Sequence, residues 1–413
     1  MITEVIAATT IGLYVKYKTS LKYKIKKIIE DVADMENLDF KIIDIIVEDN
    51  KIDVIVSLYV TTFSKLLKAQ EHFKNASGKR VLIQENDNLK TATITFITKT
   101  LTDQTRFKAI KLENSMEIYF GLSHTFQELK IDLFKYPHVL VSGTTGSGKS
   151  EIIRMALANS INNFSSRDLE IYFSDLSNMN DYDIFQRCSN VRGYARTIEE
   201  SYMLFEHLHH IYNKRLSIFA TNNCKNVKEY NSKNVDKRMS TILLVLDEFA
   251  DYFPSSKLEK QYSLKCKAYN LIRHMVRKFR KVGIFLIIGI QRPDTTILDP
   301  SLKSGLCVKI GFTQNNNASS LVVADTEELA NLKHREGLFM YGSNRIPFQS
   351  LYINDKMIYS LIKDKYDYST NRNYNKFIIK KEEKKSTNKV KLIPRSSQMT
   401  NTKKKAINKV RVS

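Results

Sequence analysis

Lys149 and Ser150 close the run Gly143, Thr144, Thr145, Gly146, Ser147, Gly148, Lys149, Ser150. This fits G-x-x-x-x-G-K-[ST] in full. The glycines let the backbone bend so that its N–H groups can face phosphate oxygens. Lys149 can reach β- and γ-phosphates, and the Ser150 hydroxyl can hold Mg2+. A helix starting at this point would aim its positive end at the same anion. Three of the chain's 13 glycines fall in this short run, so a chance match is remote. All eight residues are therefore assigned to binding ATP.

Two further clusters could act on that nucleotide. In "TILLVLDEF" an apolar run ends in Asp247 and Glu248. An acid at the carboxyl end of a central strand lies where α/β sheets bind ligands. Asp247 is expected to hold Mg2+ together with Ser150, and Glu248 to polarise the attacking water as general base. In "GIFLIIGIQRPD" a second apolar run ends at Gln291, a neutral amide able to touch the γ-phosphate or the water. Other nucleotide chemistries fit less well. The chain has no Asn-Lys-x-Asp guanine reader, and a small-molecule kinase has no need of a later sensor strand. His207, His209 and His210 cluster without a Cys or acid placed to complete a metal site. Cys188, Cys224, Cys266 and Cys307 are too scattered for a metal motif or a disulfide framework, which fits a reducing cytoplasm.

These side chains need a scaffold. From about residue 116, continuous apolar runs alternate with helical patterns: "PHVLVS" then "EIIRMALANSI", "LEIYFSD" then "IEESYMLFEHLHHIYNKRL", "TILLVLDEF" then "AYNLIRHMVRKF", with "GIFLIIGI" and "CVKIGF" following. That rhythm predicts an α/β fold, a mostly parallel sheet covered by helices on both faces. Before it, a helix over 21–35, the strand pair "KIIDIIVED" and "KIDVIVSLYV", a helix closing at Gly78, and the strands "RVLIQ" and "TATITFIT" predict a small α+β domain. The expected division is an apolar N-terminal segment over 1–18, the α+β domain over 19–115, an ATPase domain over 116–365, and a basic disordered tail over 366–413.

With these motifs placed, the sequence resembles the FtsK/SpoIIIE family of ring-forming DNA translocases. "PHVLVSGTTGSGKS", "LLVLDEFADYF" and "GIFLIIGIQRP" are similar to that family's phosphate loop, metal strand and sensor strand, in the same order. "REGLFMYGSNRIPFQSLYI" resembles its closing hairpin. The resemblance implies a P-loop NTPase with a RecA-like sheet. It also implies ATP-driven movement along double-stranded DNA by a homo-oligomer, a hexameric ring, with each site completed by a basic residue of the next subunit. Arg280 in "VRKFRKVGI" matches the Arg before the family's Gly-Ile strand, and Lys309 stands where the family has Arg. "FSDLSN" lacks the family's lysine after Asp175, and Ile290 replaces its Thr. The compact form looks like relatives from mobile elements, which implies relaxase or replication proteins as partners.

The net charge is +21, of which +12 comes from fourteen Lys or Arg against two Glu between Asn371 and Ser413. Such a run suits a salt-sensitive grip on nucleic acid or a solvated end. In the opening run "MITEVIAATTIGLYV" the charge-free stretch Val5 to Val15 is about half the length that spans a bilayer, so membrane contact is open and spanning is not expected. Topology suggests DNA-facing loops near Asn178 and Ser255. Two other readings share the nucleotide site: a coupling ATPase that recruits DNA-processing partners, and a nucleotide-switched DNA binder. A simple switch needs neither Glu248 nor Gln291.

Overall fold

A computed structural model describes residues 2–102, 104–177 and 179–369; for 2–15, 17 and 18 it describes the backbone alone. Most of the basic tail and position 178 lie outside the described residues. The chain opens with α1 (Ile2–Met35), a single helix where the sequence suggests an apolar segment and then a helix. It is followed by β1 (Ile42–Val47), β2 (Lys51–Ser57), α2 (Phe63–Lys68), α3 (Gln70–Ser77), β3 (Arg80–Glu85) and β4 (Thr91–Ile97). The four strands form an antiparallel sheet in the order β1-β2-β4-β3. In β2 buried and half-buried residues alternate, as a sheet with one covered face requires. Ile25, Ile29 and Val32 of α1 and Phe73 of α3 complete this core. Thr62 caps α2 by accepting from the Lys65 N–H, and Gly78, at φ 64°, ends α3. Among the described residues no helix is long and apolar enough to cross a membrane.

The larger unit contains β5 (Glu117–Leu122), β6 (Glu128–Asp132), β7 (Val139–Ser142), α4 (Lys149–Asn163), β8 (Leu169–Asp175) and β9 (Val191–Ala195). Next come α5 (Ile198–Thr221), α6 (Val227–Lys233), β10 (Thr241–Asp247), α7 (Tyr262–Lys278) and β11 (Ile284–Ile290). The chain continues through α8 (Pro300–Gly305), β12 (Val308–Phe312), α9 (Asn317–Ala324), β13 (Glu336–Tyr341), β14 (Asn344–Gln349) and α10 (Asp355–Ile362). Its main sheet runs β14-β13-β12-β7-β11-β10-β8-β9. The six strands from β12 to β9 are parallel, and β13 and β14 close the edge antiparallel. Every residue of β7, β10 and β11 is buried, the pattern of a sheet covered on both faces. Thr197 starts α5 by accepting from the Glu200 N–H, while the Glu200 carboxylate accepts from the Arg196 N–H.

Leu101, Phe107 and Leu112 lie in the core of the large sheet rather than with the small domain that the sequence reading extends to 115. Hydrogen bonds to the larger unit explain this: the Phe107 N–H donates to the Tyr352 carbonyl at 2.9 Å, and the Ile110 N–H to Asn159 Oδ1 at 2.8 Å. Tyr366, which the reading gives to the tail, donates its hydroxyl to the Ile184 carbonyl at 2.6 Å. The two units meet where Arg80 contacts both Glu336 and His124.

Candidate nucleotide site

Because β7, β10 and β11 are parallel neighbours, their carboxyl ends share one edge of the sheet. Ser142 pairs with Ile290, so the phosphate loop leaves β7 just where Gln291 follows β11. The loop is tied down at its start. The Gly143 N–H donates to the Ile290 carbonyl and the Thr144 N–H to the Thr313 carbonyl, each at 3.2 Å. Gly146 and Gly148 take φ of 77° and 113°, a region that side chains other than glycine's rarely allow. Gly148 begins α4 with no side-chain cap. The first amides of that helix are thus left for a ligand.

The chemistry-bearing residues converge. Lys149 Nζ lies 2.7 Å from Asp247 Oδ1 and 3.9 Å from Glu248 Oε2. Both the lysine and the aspartate are buried, so this is an ion pair shielded from water. The Glu248 N–H donates to Asp247 Oδ1 at 3.1 Å. Thr145 donates its hydroxyl to Gln291 Oε1 at 3.0 Å, linking the loop to the end of β11. Glu248 sits at φ 50°, a strained position for a residue with a side chain, and its Oε2 is buried with no hydrogen-bond partner. Burial pushes its carboxyl above the ordinary range, with the Lys149 ammonium pulling the other way. Burial raises Asp251 likewise.

A polyphosphate with Mg2+ suits this donor set. Among the described residues no three His, Cys, Asp or Glu are grouped to hold a metal alone. Mg2+ needs no such cage, since it binds through one or two carboxylates, several waters and the nucleotide's phosphates. Asp247, at the end of β10, and Ser150, in the first turn of α4, are the side chains that could hold it. Glu248 Oε2 and Ser147 Oγ, both buried and unpartnered, are groups that a ligand or its waters would satisfy.

Arg280 is not part of this cluster. It precedes β11, whereas Gln291 follows it, and seven strand residues span about 23 Å. Its guanidinium lies 5.0 Å from the centre of the Phe134 ring. Lys309 lies 3.6 Å from Asp325, which also pairs with Lys303. Ser255 is exposed in the loop between β10 and α7. Sequence reasoning missed two residues here. Gly289 lies under the ion pair, and its signal was a lone glycine inside an apolar strand. Gln314 is buried and donates to Ser142 Oγ at 3.1 Å, bracing the end of β7; nothing in its sequence context marks it.

Comparison with known proteins agrees with the geometry. Residues 103–295 match the FtsK/SpoIIIE family. The DNA translocase FtsK of Treponema pallidum (strain Nichols) is 24% identical over 298 residues, 69% of this chain and 35% of the relative. That of Streptococcus pneumoniae (strain ATCC BAA-255 / R6) is 26% identical over 260 residues, 60% of this chain and 32% of the relative. The chain thus spans about a third of the length of these curated relatives. Among solved structures, the pCW3 conjugation coupling protein TcpA, in its monomer form with ATPγS, superposes with a TM-score of 0.59 at 20% identity. The match covers 78% of this chain and 93% of that one. The fold is therefore that of P-loop ATPases. Through the domain that carries its phosphate loop, acid pair and sensor strand, the chain is similar to the FtsK/SpoIIIE family over residues 103–295.

Proposed function

We propose that the chain is an ATP-driven translocase of double-stranded DNA that works as a ring of identical subunits. The observation that carries this reading is the convergence of Lys149, Asp247, Glu248 and the Thr145–Gln291 pair on one sheet edge, in a family whose curated relatives are DNA translocases.

The geometry suggests an order of events. As a triphosphate enters, Lys149 gives up part of its contact with Asp247 and turns to the β- and γ-phosphate oxygens. Asp247, released, and the Ser150 hydroxyl would be the side chains that hold Mg2+, Asp247 through water. Bound Mg2+ would offset the charge that gathers on the phosphates during transfer. Glu248 accepts the proton of the attacking water, a role that suits a buried carboxylate with one uncommitted oxygen. Gln291 shares a hydrogen bond with the phosphate loop, so losing the γ-phosphate would alter its contacts and the end of β11 with them. Arg280 is far from its own subunit's phosphate loop, so any phosphate it stabilises belongs to a neighbour's site. Such a motor would serve segregation, conjugative transfer or mobile-element replication, in the last two alongside relaxase or replication proteins.

The test is ATP hydrolysis with and without linear duplex DNA, for wild type and Lys149→Ala. The expected result is turnover stimulated severalfold by DNA in wild type and none above background in the variant. Melting of both proteins controls for Asp247 being left buried and unpaired. Wild-type hydrolysis indifferent to DNA would contradict the motor and favour an ATPase that recruits other DNA-processing proteins.

A further inference from the structure

The strand next to the acid pair ends in a buried carboxylate with a different role. Asp175 closes β8 in register with Asp247 on β10. Its Oδ1 accepts from the Ser177 N–H at 3.0 Å and the Ser177 hydroxyl at 2.6 Å, and its Oδ2 accepts from the Tyr194 hydroxyl at 3.2 Å. With both oxygens engaged, Asp175 fixes the start of the following loop and has little left to offer a metal.

That loop brings Tyr182 back against the sheet. Its ring stacks on Phe173 of β8, centroids 5.4 Å apart. The loop is held there by Arg196, whose guanidinium donates to Asn180 Oδ1 at 2.7 Å and Asp183 Oδ1 at 2.5 Å. Tyr182 is 0% exposed, and its hydroxyl has no hydrogen-bond partner among the described residues. A buried, unpaired hydroxyl costs about 1–3 kcal/mol, so a ligand that pairs it recovers that cost. Burial holds the phenol well above its ordinary range, and the nearby charges of Asp247, Asp181 and Asp175 add to this. A phenol is an O–H donor at neutral pH, and Phe173, two residues before Asp175 on the same face of β8, sets the Tyr182 ring beside the strand ends that carry Asp175 and Asp247. Asp247 takes the Lys149 and Glu248 hydrogen bonds on Oδ1. A water on its other side could donate to the carboxylate while accepting from a phenol.

We propose that Tyr182 is a positioning residue of the nucleotide site, its hydroxyl donating to the metal-bound water that links Asp247 to the Mg2+–nucleotide. The inference rests on the nucleotide-site reading above and adds the loop after β8 to the elements that build the site. It assigns to Tyr182 a donor's role that Ser150, Asp247, Glu248 and Gln291 do not fill.

Tyr182→Phe keeps the ring and its stacking on Phe173 and removes only the hydroxyl. The readout is equilibrium binding of a fluorescent, slowly hydrolysed ATP analogue, in Mg2+ and in EDTA, alongside thermal melting of the nucleotide-free protein. The expected result is affinity in Mg2+ lower by about threefold to tenfold, the worth of one neutral hydrogen bond, and unchanged affinity in EDTA. The free variant should melt at or above the wild-type temperature, since it loses an unpaired buried group. Unchanged Mg2+-dependent affinity would overturn the assignment. So would an equal loss in EDTA, or a lower melting temperature, which would mean that the hydroxyl has a structural partner in the free protein. Wild type that binds the analogue equally in both conditions, or not at all, would overturn the site reading as well; the other outcomes leave that reading standing.

Discussion

Gly289 has no side chain, and the space beside it is taken by the ion pair of the nucleotide site. A Cβ there would stand 2.6 Å from Asp247 Oδ1 and 3.4 Å from Lys149 Nζ. Gly289→Ala is therefore expected to displace the pair and to lower ATP turnover at least tenfold. Gly78→Ala is the matching control. Its backbone is left-handed, with φ 64°, unlike the strand position of Gly289, but no atom stands within 4 Å of where a Cβ would go. It should cost about 1–2 kcal/mol of stability and leave turnover alone. Steady-state hydrolysis and melting of both variants check this, and normal turnover in Gly289→Ala would refute the role given to the glycine. At this scale the sequence revealed what motifs encode. The phosphate loop could be found by its glycine and lysine spacing, and Asp247, Glu248 and Gln291 because each is a polar residue at the end of an apolar run. Tyr182 and Gln314 could not, because their roles depend on a loop and a strand end whose meeting with the site is a matter of tertiary structure.

Elements explain why those residues meet. β7, β10 and β11 are parallel, fully buried and adjacent, so three chain segments far apart in sequence deliver their ends to one place. Such strands were legible as unbroken apolar runs, and the order of motifs agreed with a family pattern. Other elements were less legible. α1 reads as two pieces because its charge density changes after Val15, yet nothing stronger than Gly12 interrupts it, and one glycine costs a helix only about 1 kcal/mol. α2 and α3 read as one helix; the break between them is the single residue Ala69, a good helix former held at φ −78° and ψ −1°, while Leu66, Ala69 and Phe73 keep a helical spacing into the core. The segment 101–112 gives no periodic signal; it is placed by backbone hydrogen bonds to Tyr352 and to the Asn159 and Asn163 side chains. The geometry of β11 also makes a prediction about assembly. Arg280 and Gln291 stand at opposite ends of that strand, so Arg280→Ala should impair a neighbour's site and spare its own. Arg280→Ala subunits mixed with Lys149→Ala subunits should regain hydrolysis that neither has alone. An absence of complementation in mixed rings would remove Arg280 from catalysis between subunits.

At the scale of the molecule, two cores are joined by a few polar contacts. The small sheet and α1 form one cluster of buried residues, and the large sheet and its helices form another. Arg80 to Glu336 and His124, with Asn50 Nδ2 donating to the Thr125 carbonyl at 3.0 Å, connect them. The larger unit contains the whole nucleotide site, and the net charge of +21 suits a protein that works against phosphate backbones. A motor differs from a switch or a recruiting ATPase in one respect: it moves DNA. The decisive measurement is displacement of a third strand from a triplex on linear duplex DNA. Wild type with ATP and Mg2+ should strip the strand. Wild type with ATPγS, and Glu248→Gln with ATP, should bind nucleotide and leave the strand in place. A triplex that survives wild type under conditions where ATP is being hydrolysed would contradict the account.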